Sequence, residues 1–122
     1  MVDVICDTSF LIHLATKRIF NLDRLDSEIG QISFQVPKVV KNELFELQKN
    51  PSKKQDILYT LEYIKKFKTI DLDGSFADKE ILDYIKENNV IVATMDKELK
   101  QQIKSKGRSI ISFSNNRVIL ES

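Results

Sequence analysis

The sequence has a single cysteine, Cys6, in 122 residues. One thiol closes no internal disulfide, which excludes a disulfide-stapled scaffold and fits a reducing cytoplasm. Cys6 sits inside an apolar run and reads as a small buried hydrophobe rather than a nucleophile. One histidine, His13, cannot build a zinc centre of the usual Cys and His ligands. With only 3 glycines and 2 prolines against 42% hydrophobic residues, the chain is globular and not disordered. No apolar run approaches the roughly 18 residues needed to span a bilayer. The opening MVDVICD lacks the basic stretch and apolar core of a signal peptide. Neither sign of charge dominates: 19 basic and 18 acidic residues leave +1. Such a balance does not announce nucleic-acid binding, but it leaves room for an acidic site among basic surroundings. The expectation is one domain, residues 1–122, soluble and cytoplasmic, with no membrane association.

Two buried strands stand out, VIC at 4–6 and VIVA at 90–93, and each runs into an aspartate, Asp7 and Asp96. Thr8 or Ser9 suits the cap of the helix begun by Phe10, Leu11, Ile12 and Leu14. Phe20, Leu22, Leu25 and Ile29 predict a second helix over about 21–28, stopped by Gly30. QISFQV predicts a strand ended by Pro37, followed by a helix with Val40, Leu44 and Leu47 inward. After the NPS loop, the spacing of Ile57, Leu61, Ile64 and Phe67 predicts a helix over 56–67. A short strand over 69–72 and a helix burying Ile81, Leu82 and Ile85 come next. A helix over about 96–105 follows, with Leu99 and Ile103 inward and Gly107 as its stop, and the chain ends in an antiparallel hairpin of SIISF and RVIL. Strands alternating with helices predict an α/β class fold, a three-layer α/β/α sandwich with a mostly parallel central sheet.

In a parallel sheet the carboxyl ends of the strands share one edge, where ligands of open α/β sheets bind. Asp7 and Asp96 are therefore expected to meet there. Glu43, on the helix after Pro37, and Asp78, in the first turn of its own helix, reach the same rim if their helices start at it. Four carboxylates at one rim repel each other and require a counter-charge. All-oxygen ligands from short acidic side chains suit Mg²⁺ or Mn²⁺ rather than Zn²⁺.

DTSFLI at 7–12, VPKVVKNEL at 36–44, ADKEIL at 77–82 and VIVATMDKELK at 90–100 resemble the PIN domain family of metal-dependent ribonucleases across essentially the whole chain. The last segment is the most specific, and the 18-residue step from Asp78 to Asp96 adds to it. The resemblance implies that Asp7, Glu43, Asp78 and Asp96 hold Mg²⁺ or Mn²⁺, with Thr8, Ser9 and Thr94 in support. It implies metal-assisted hydrolysis of RNA phosphodiester bonds by an endoribonuclease. The compact length and the ending RSIISFSNNRVILE are similar to the archaeal single-domain branch, which is similar in turn to rRNA-processing PIN nucleases and to toxins of toxin–antitoxin pairs. The partners implied are RNA and either an antitoxin or a ribosome-assembly factor, and homodimers are common in the family. Met95 departs from the family pattern, which frequently has Asn or Ser there.

Each feature has a plainer reading. Asp7 and Asp96 suit helix caps, and Asp78 suits the positive end of a helix dipole. Glu46 rivals Glu43, whereas Glu80, Asp83 and Glu98 read as solvated charges. His13 reads as a packed residue of an apolar helix. Lys97, Lys100 and Lys104, with Lys106 and Arg108 behind them, suit either an RNA phosphate track or a solvated helix face, as do Lys53 and Lys54 in the NPS loop. The alternative function is a PIN-like RNA- or protein-binding module with little catalysis. A D-x-D phosphotransferase is disfavoured because Ser9 stands where its second carboxylate belongs, and a receiver domain because the order of acids and lysine does not fit.

Overall fold

The computed structural model describes residues 2–20 and 30–121. The helix expected over 21–28 lies outside the described residues.

Strand β1 (Val2–Cys6) leads to helix α1 (Thr8–Thr16), and β2 (Ile32–Pro37) to α2 (Lys38–Leu47). Helix α3 (Lys54–Tyr63) passes into a 3₁₀ turn (Ile64–Lys66) before β3 (Lys68–Ile70). Then come α4 (Ala77–Ile85), β4 (Ile91–Ala93), α5 (Lys97–Ser105), β5 (Ile110–Ser114) and β6 (Arg117–Glu121). The helix expected over 56–67 thus starts earlier and tightens at Ile64. A 3₁₀ turn has nearly the same spacing of inward residues as an α-helix, so Ile57 and Ile64 are both buried and periodicity alone does not register the change. The strand expected over 69–72 ends instead at Ile70.

The sheet has the order β3-β2-β1-β4-β5-β6, parallel except for β5 and β6. Antiparallel β6 is joined to β5 by Asn115 and Asn116, both at positive φ (52° and 58°), which suits a two-residue hairpin turn. From β1 the chain builds outward through β2 and β3, then returns to β4 on the other side. Neighbours β1 and β4 therefore flank the point where the strand order reverses.

Alternation along β1 divides the interior. Val4 and Cys6 join Phe10, Leu11, Leu14, Val40, Leu44 and Ile57 on the face covered by α1, α2 and α3. Ile5 joins Ile81, Ile85, Leu99 and Ile103 on the face covered by α4 and α5. The result is the three-layer α/β/α sandwich with a mostly parallel sheet that the strand and helix pattern predicts. Leu82 and Leu47 are only half-buried, at the margins of these faces. Among the described residues no helix is long and apolar enough to cross a membrane.

Candidate active site at the sheet switch point

The ladder between β1 and β4 pairs Cys6 with Ala93. It continues one step further, with the Asp7 amide donating to the Ala93 carbonyl at 3.0 Å. The next residue on each strand is thereby fixed, Asp7 facing Thr94. Both strands then turn into helices. Asp7 caps α1, its Oδ1 accepting the Phe10 amide at 2.9 Å, so Thr8 and Ser9 lie inside the helix rather than capping it. Aspartate wins because its side chain reaches an amide three residues on while its own backbone stays extended. Asp96 caps α5, its Oδ1 accepting the Glu98 and Leu99 amides at 2.9 and 3.2 Å. The capping role that each aspartate suits from sequence is therefore real, and it is compatible with a site role, because it occupies one oxygen of each.

Two hydroxyls join the strand ends. Ser9 Oγ donates to Asp7 Oδ1 at 3.0 Å and accepts the Met95 amide at 3.2 Å. Thr94 Oγ1 donates to Asp7 Oδ2 and accepts the Asp96 amide at 3.0 Å. Met95 contributes its backbone here, while its side chain packs on the core, so the departure from Asn or Ser leaves these bonds intact. Thr8 Oγ1 donates to Glu43 Oε1 at 2.7 Å, and Glu43 Oε2 accepts the Ala77 amide at 3.0 Å. Glu43 thus ties α1 and α2 to the N-terminus of α4, whose dipole favours its charge. That backbone amide carries no side-chain signature, so no sequence pattern reveals it.

Asp7, Thr8, Ser9, Glu43, Asp78 and Asp96 line one cavity of about 310 Å³, with Ile12, Leu47 and Leu99 as apolar wall. The four acids expected at one rim share it. Their environments differ. Asp7 is 7% exposed, and Asp78 and Asp96 are exposed. Burial pushes the Asp7 carboxyl above the usual range, its bonds from Thr94, Phe10 and Ser9 pull it down, and the charge of Asp96 adds to the rise. The Cys6 thiol is pushed up by burial and then by Asp7, which makes it inert. His13 stacks on Phe113 at 4.5 Å and hydrogen-bonds Asn116 at 3.1 Å, away from the acids.

A carboxylate offers about four lone-pair directions. Among the described residues Asp7 has three protein donors, Asp96 and Glu43 two each, and Asp78 one, the Lys79 amide. Spare oxygen capacity therefore faces the cavity, and the donor set fits a hard cation. Among the described residues no three His, Cys, Asp or Glu side chains form a group that could hold an ion.

The lysines divide. Lys100 and Lys104 bond Glu121 at 3.2 and 2.8 Å, and Lys104 lies about 12 Å down α5 from Asp96 at ~1.5 Å per residue. Lys97 is exposed on the first turn of α5. Arg108 donates to the Asn88 and Ile85 carbonyls and braces the end of α4. Glu46 pairs with Lys49 at 3.2 Å and faces a neighbouring cavity.

Known proteins resemble the chain in sequence and fold to different degrees. The chain is 36% identical over 111 residues to Ribonuclease VapC4 of Methanocaldococcus jannaschii, covering 84% of this chain and 83% of that protein. Its fold superposes on the PIN domain endonuclease Utp24 with a TM-score of 0.79 at 27% identity, over 98% of this chain and 90% of that one. A domain of a functionally unknown protein from M. jannaschii shares the fold alone, with a TM-score of 0.59 at 20% identity over 93% and 92% of the two chains. A model of the PIN like domain matches residues 4–116, nearly the whole length. The chain belongs to the PIN-like domain family.

Proposed function

We propose that the protein is a Mg²⁺- or Mn²⁺-dependent endoribonuclease that hydrolyses RNA phosphodiester bonds, with Asp7, Glu43, Asp78 and Asp96 as its metal-holding and catalytic residues. The observation that carries the reading is the convergence of these four carboxylates on one cavity at the switch point of the sheet. Relatives named as a ribonuclease and an endonuclease support RNA as the substrate class. The bound cation would polarise a phosphate oxygen and lower the pKa of a water that attacks phosphorus.

The chain's own contribution is placement and charge. Asp7 is locked by three donors, two from the first turn of α1 and one from the turn after β4, so its remaining lone pair points one way. Among the described residues Asp96 Oδ2 accepts no hydrogen bond while Oδ1 caps α5, which orients the carboxylate without saturating it. Glu43 holds the N-terminus of α4, and with it Asp78, at the rim. The biological role is RNA processing or that of a toxin-type ribonuclease, with a ribosome-assembly factor or an antitoxin as the respective partner.

A second reading, a PIN-like RNA- or protein-binding module with little catalysis, is favoured by the lack of a three-residue ligand group among the described residues. Incubation of single-stranded RNA with the protein and Mn²⁺, beside Asp96→Asn, separates the two. Metal-dependent cleavage lost in the variant is expected. Binding without cleavage in wild type, unchanged by Asp7→Asn, would establish the second reading instead.

A further inference from the structure

Two more cavities adjoin the acidic one, and they differ in charge. The first, about 340 Å³, shares Glu43 and Leu47 with it, and Val39 and Leu47 form its apolar wall. Asn42, Glu46, Gly74 and Ser75 complete its lining, with no basic side chain among the described residues. The second, about 400 Å³, shares Asp78 and runs between α4 and α5, where Lys79, Lys86 and Lys106 line it. Asp83 in this cleft is matched by Lys86 at 3.3 Å, which leaves Lys79 and Lys106 against Asp78 alone and the cleft with one surplus cation.

Glu43, with Glu46 already matched by Lys49, leaves the first cavity no surplus cation to draw a phosphate, whereas an uncharged planar group with hydrogen-bonding edges suits its apolar wall and the Asn42 amide. The volume lies within the ~300–1,000 Å³ of small-molecule sites. Phe76 is 66% exposed and lies in the chain between Ser75, which lines this cavity, and Ala77, which lines the acidic one. A large aromatic left in water at that junction is a stacking platform for a base. The lysine cleft has the opposite preference and suits phosphates.

We propose that the three cavities form one path for single-stranded RNA. An unpaired base seats in the Val39–Leu47 cavity, the exposed Phe76 that follows Ser75 stacks on a neighbouring base, the scissile phosphate sits at the carboxylates, and the adjoining backbone runs between α4 and α5 over Lys79 and Lys106. This rests on the nuclease reading and adds to it the strand's course. The phosphate track is thereby assigned to the α4–α5 cleft, away from Lys100 and Lys104, which Glu121 occupies.

The test uses the full chain, a labelled single-stranded RNA and its duplex form. Binding is read by anisotropy in chelator and cleavage in Mn²⁺. Phe76→Ala and Asn42→Trp, both at exposed positions, remove the platform and fill the cavity. Each is expected to weaken single-strand binding by on the order of tenfold, with the salt slope retained. Lys79→Glu combined with Lys106→Glu is expected to flatten the salt dependence, by about 0.7 per lost phosphate contact. The duplex is expected to bind more weakly than the single strand. Wild-type cleavage with all variants binding as wild type, or duplex binding equal to single-strand binding, would overturn the path and leave the nuclease reading standing. A wild type that neither binds nor cuts RNA would overturn both.

Discussion

Thr94 is the residue on which the joined strand ends most depend, and Thr94→Val isolates its hydroxyl. The side chain is fully buried, and valine has nearly the same shape, so packing is retained while two hydrogen bonds disappear. The bond to ionised Asp7 is charge-assisted and contributes about 1.5–3 kcal/mol. The Asp96 amide loses its acceptor at the edge of the exposed cavity, where water can replace it, so its loss adds at most about 1 kcal/mol. The expected cost is about 2–3 kcal/mol, roughly a tenth to a half of the total stability of a domain of this size at ~0.05–0.15 kcal/mol per residue. In melting temperature that is a fall of about 10 °C.

The pH dependence distinguishes this cause from a packing defect. Burial raises the folded-state pKa of Asp7, so the folded state binds a proton more readily than the unfolded one. Its contribution to stability is therefore most favourable below the unfolded value of 3.8 and declines as pH rises through the folded value. Thr94 supplies the largest opposing effect, so its loss raises the Asp7 pKa further. The deficit of Thr94→Val is accordingly largest at neutral pH and shrinks toward pH 4, where a protonated Asp7 needs the hydroxyl less. Thr94→Ser retains the hydroxyl and is expected to recover most of the loss. Thermal melts in chelator across this range check both points. A Thr94→Val protein within about 0.5 kcal/mol of wild type at pH 7, the spread of ordinary surface substitutions, would refute the reasoning. So would a serine variant as damaged as the valine one.

Asp7→Asn removes a buried charge and keeps the acceptor for Ser9 and Phe10, so the metal-free protein is expected to melt higher at pH 7 and to lose that gain in acid, while cleavage is abolished. Differential scanning fluorimetry beside an RNA assay reads both. Millimolar Mn²⁺ is expected to raise the wild-type melting temperature, since a cation at 100 times its Kd stabilises by about 2.7 kcal/mol, and to raise that of Asp96→Asn less. Glu121 is held down to about 2 by Lys104, Ser112 and Lys100. Its stabilisation is complete above its ordinary value of 4.5 and lost as pH falls toward 2, so Glu121→Gln should be less stable at pH 7 and equal to wild type at the acid end of a urea titration. Cleavage should persist in Glu121→Gln, because its lysines lie down the helix from the acids.

The strands and their terminal aspartates are legible in the sequence because fully buried parallel strands read as unbroken apolar runs. Val4 to Cys6 and Ile91 to Ala93 are such runs, and topology then places their ends on one edge. What each aspartate bonds is not legible. The pairing of Ser9 with Met95, and of Thr94 with Asp7 across 87 positions, depends on a register that no local pattern encodes. Glu43 reads as a ligand candidate from its half-apolar helix face, yet both of its oxygens already accept protein hydrogen bonds. The lysines after Asp96 read as one basic stretch, but helical geometry and Glu121 on the distant β6 divide them.

The difference between the two strand-end aspartates follows from the sheet. Asp7 ends a strand with neighbours on both sides, so it is buried at the cost of a raised pKa, and three donors fix it and offset part of that rise. Asp96 stands one residue beyond the Thr94 and Met95 turn, which carries it clear of the sheet into the exposed cavity. On the proposed metal-site reading, a rigid buried carboxylate beside a solvated one would give the site one anchor and one adjustable ligand. The repulsion between them would be relieved by a proton or a cation. At neutral pH the carboxylates compete for few protons, so on that reading the same geometry that destabilises the empty fold would favour a divalent ion.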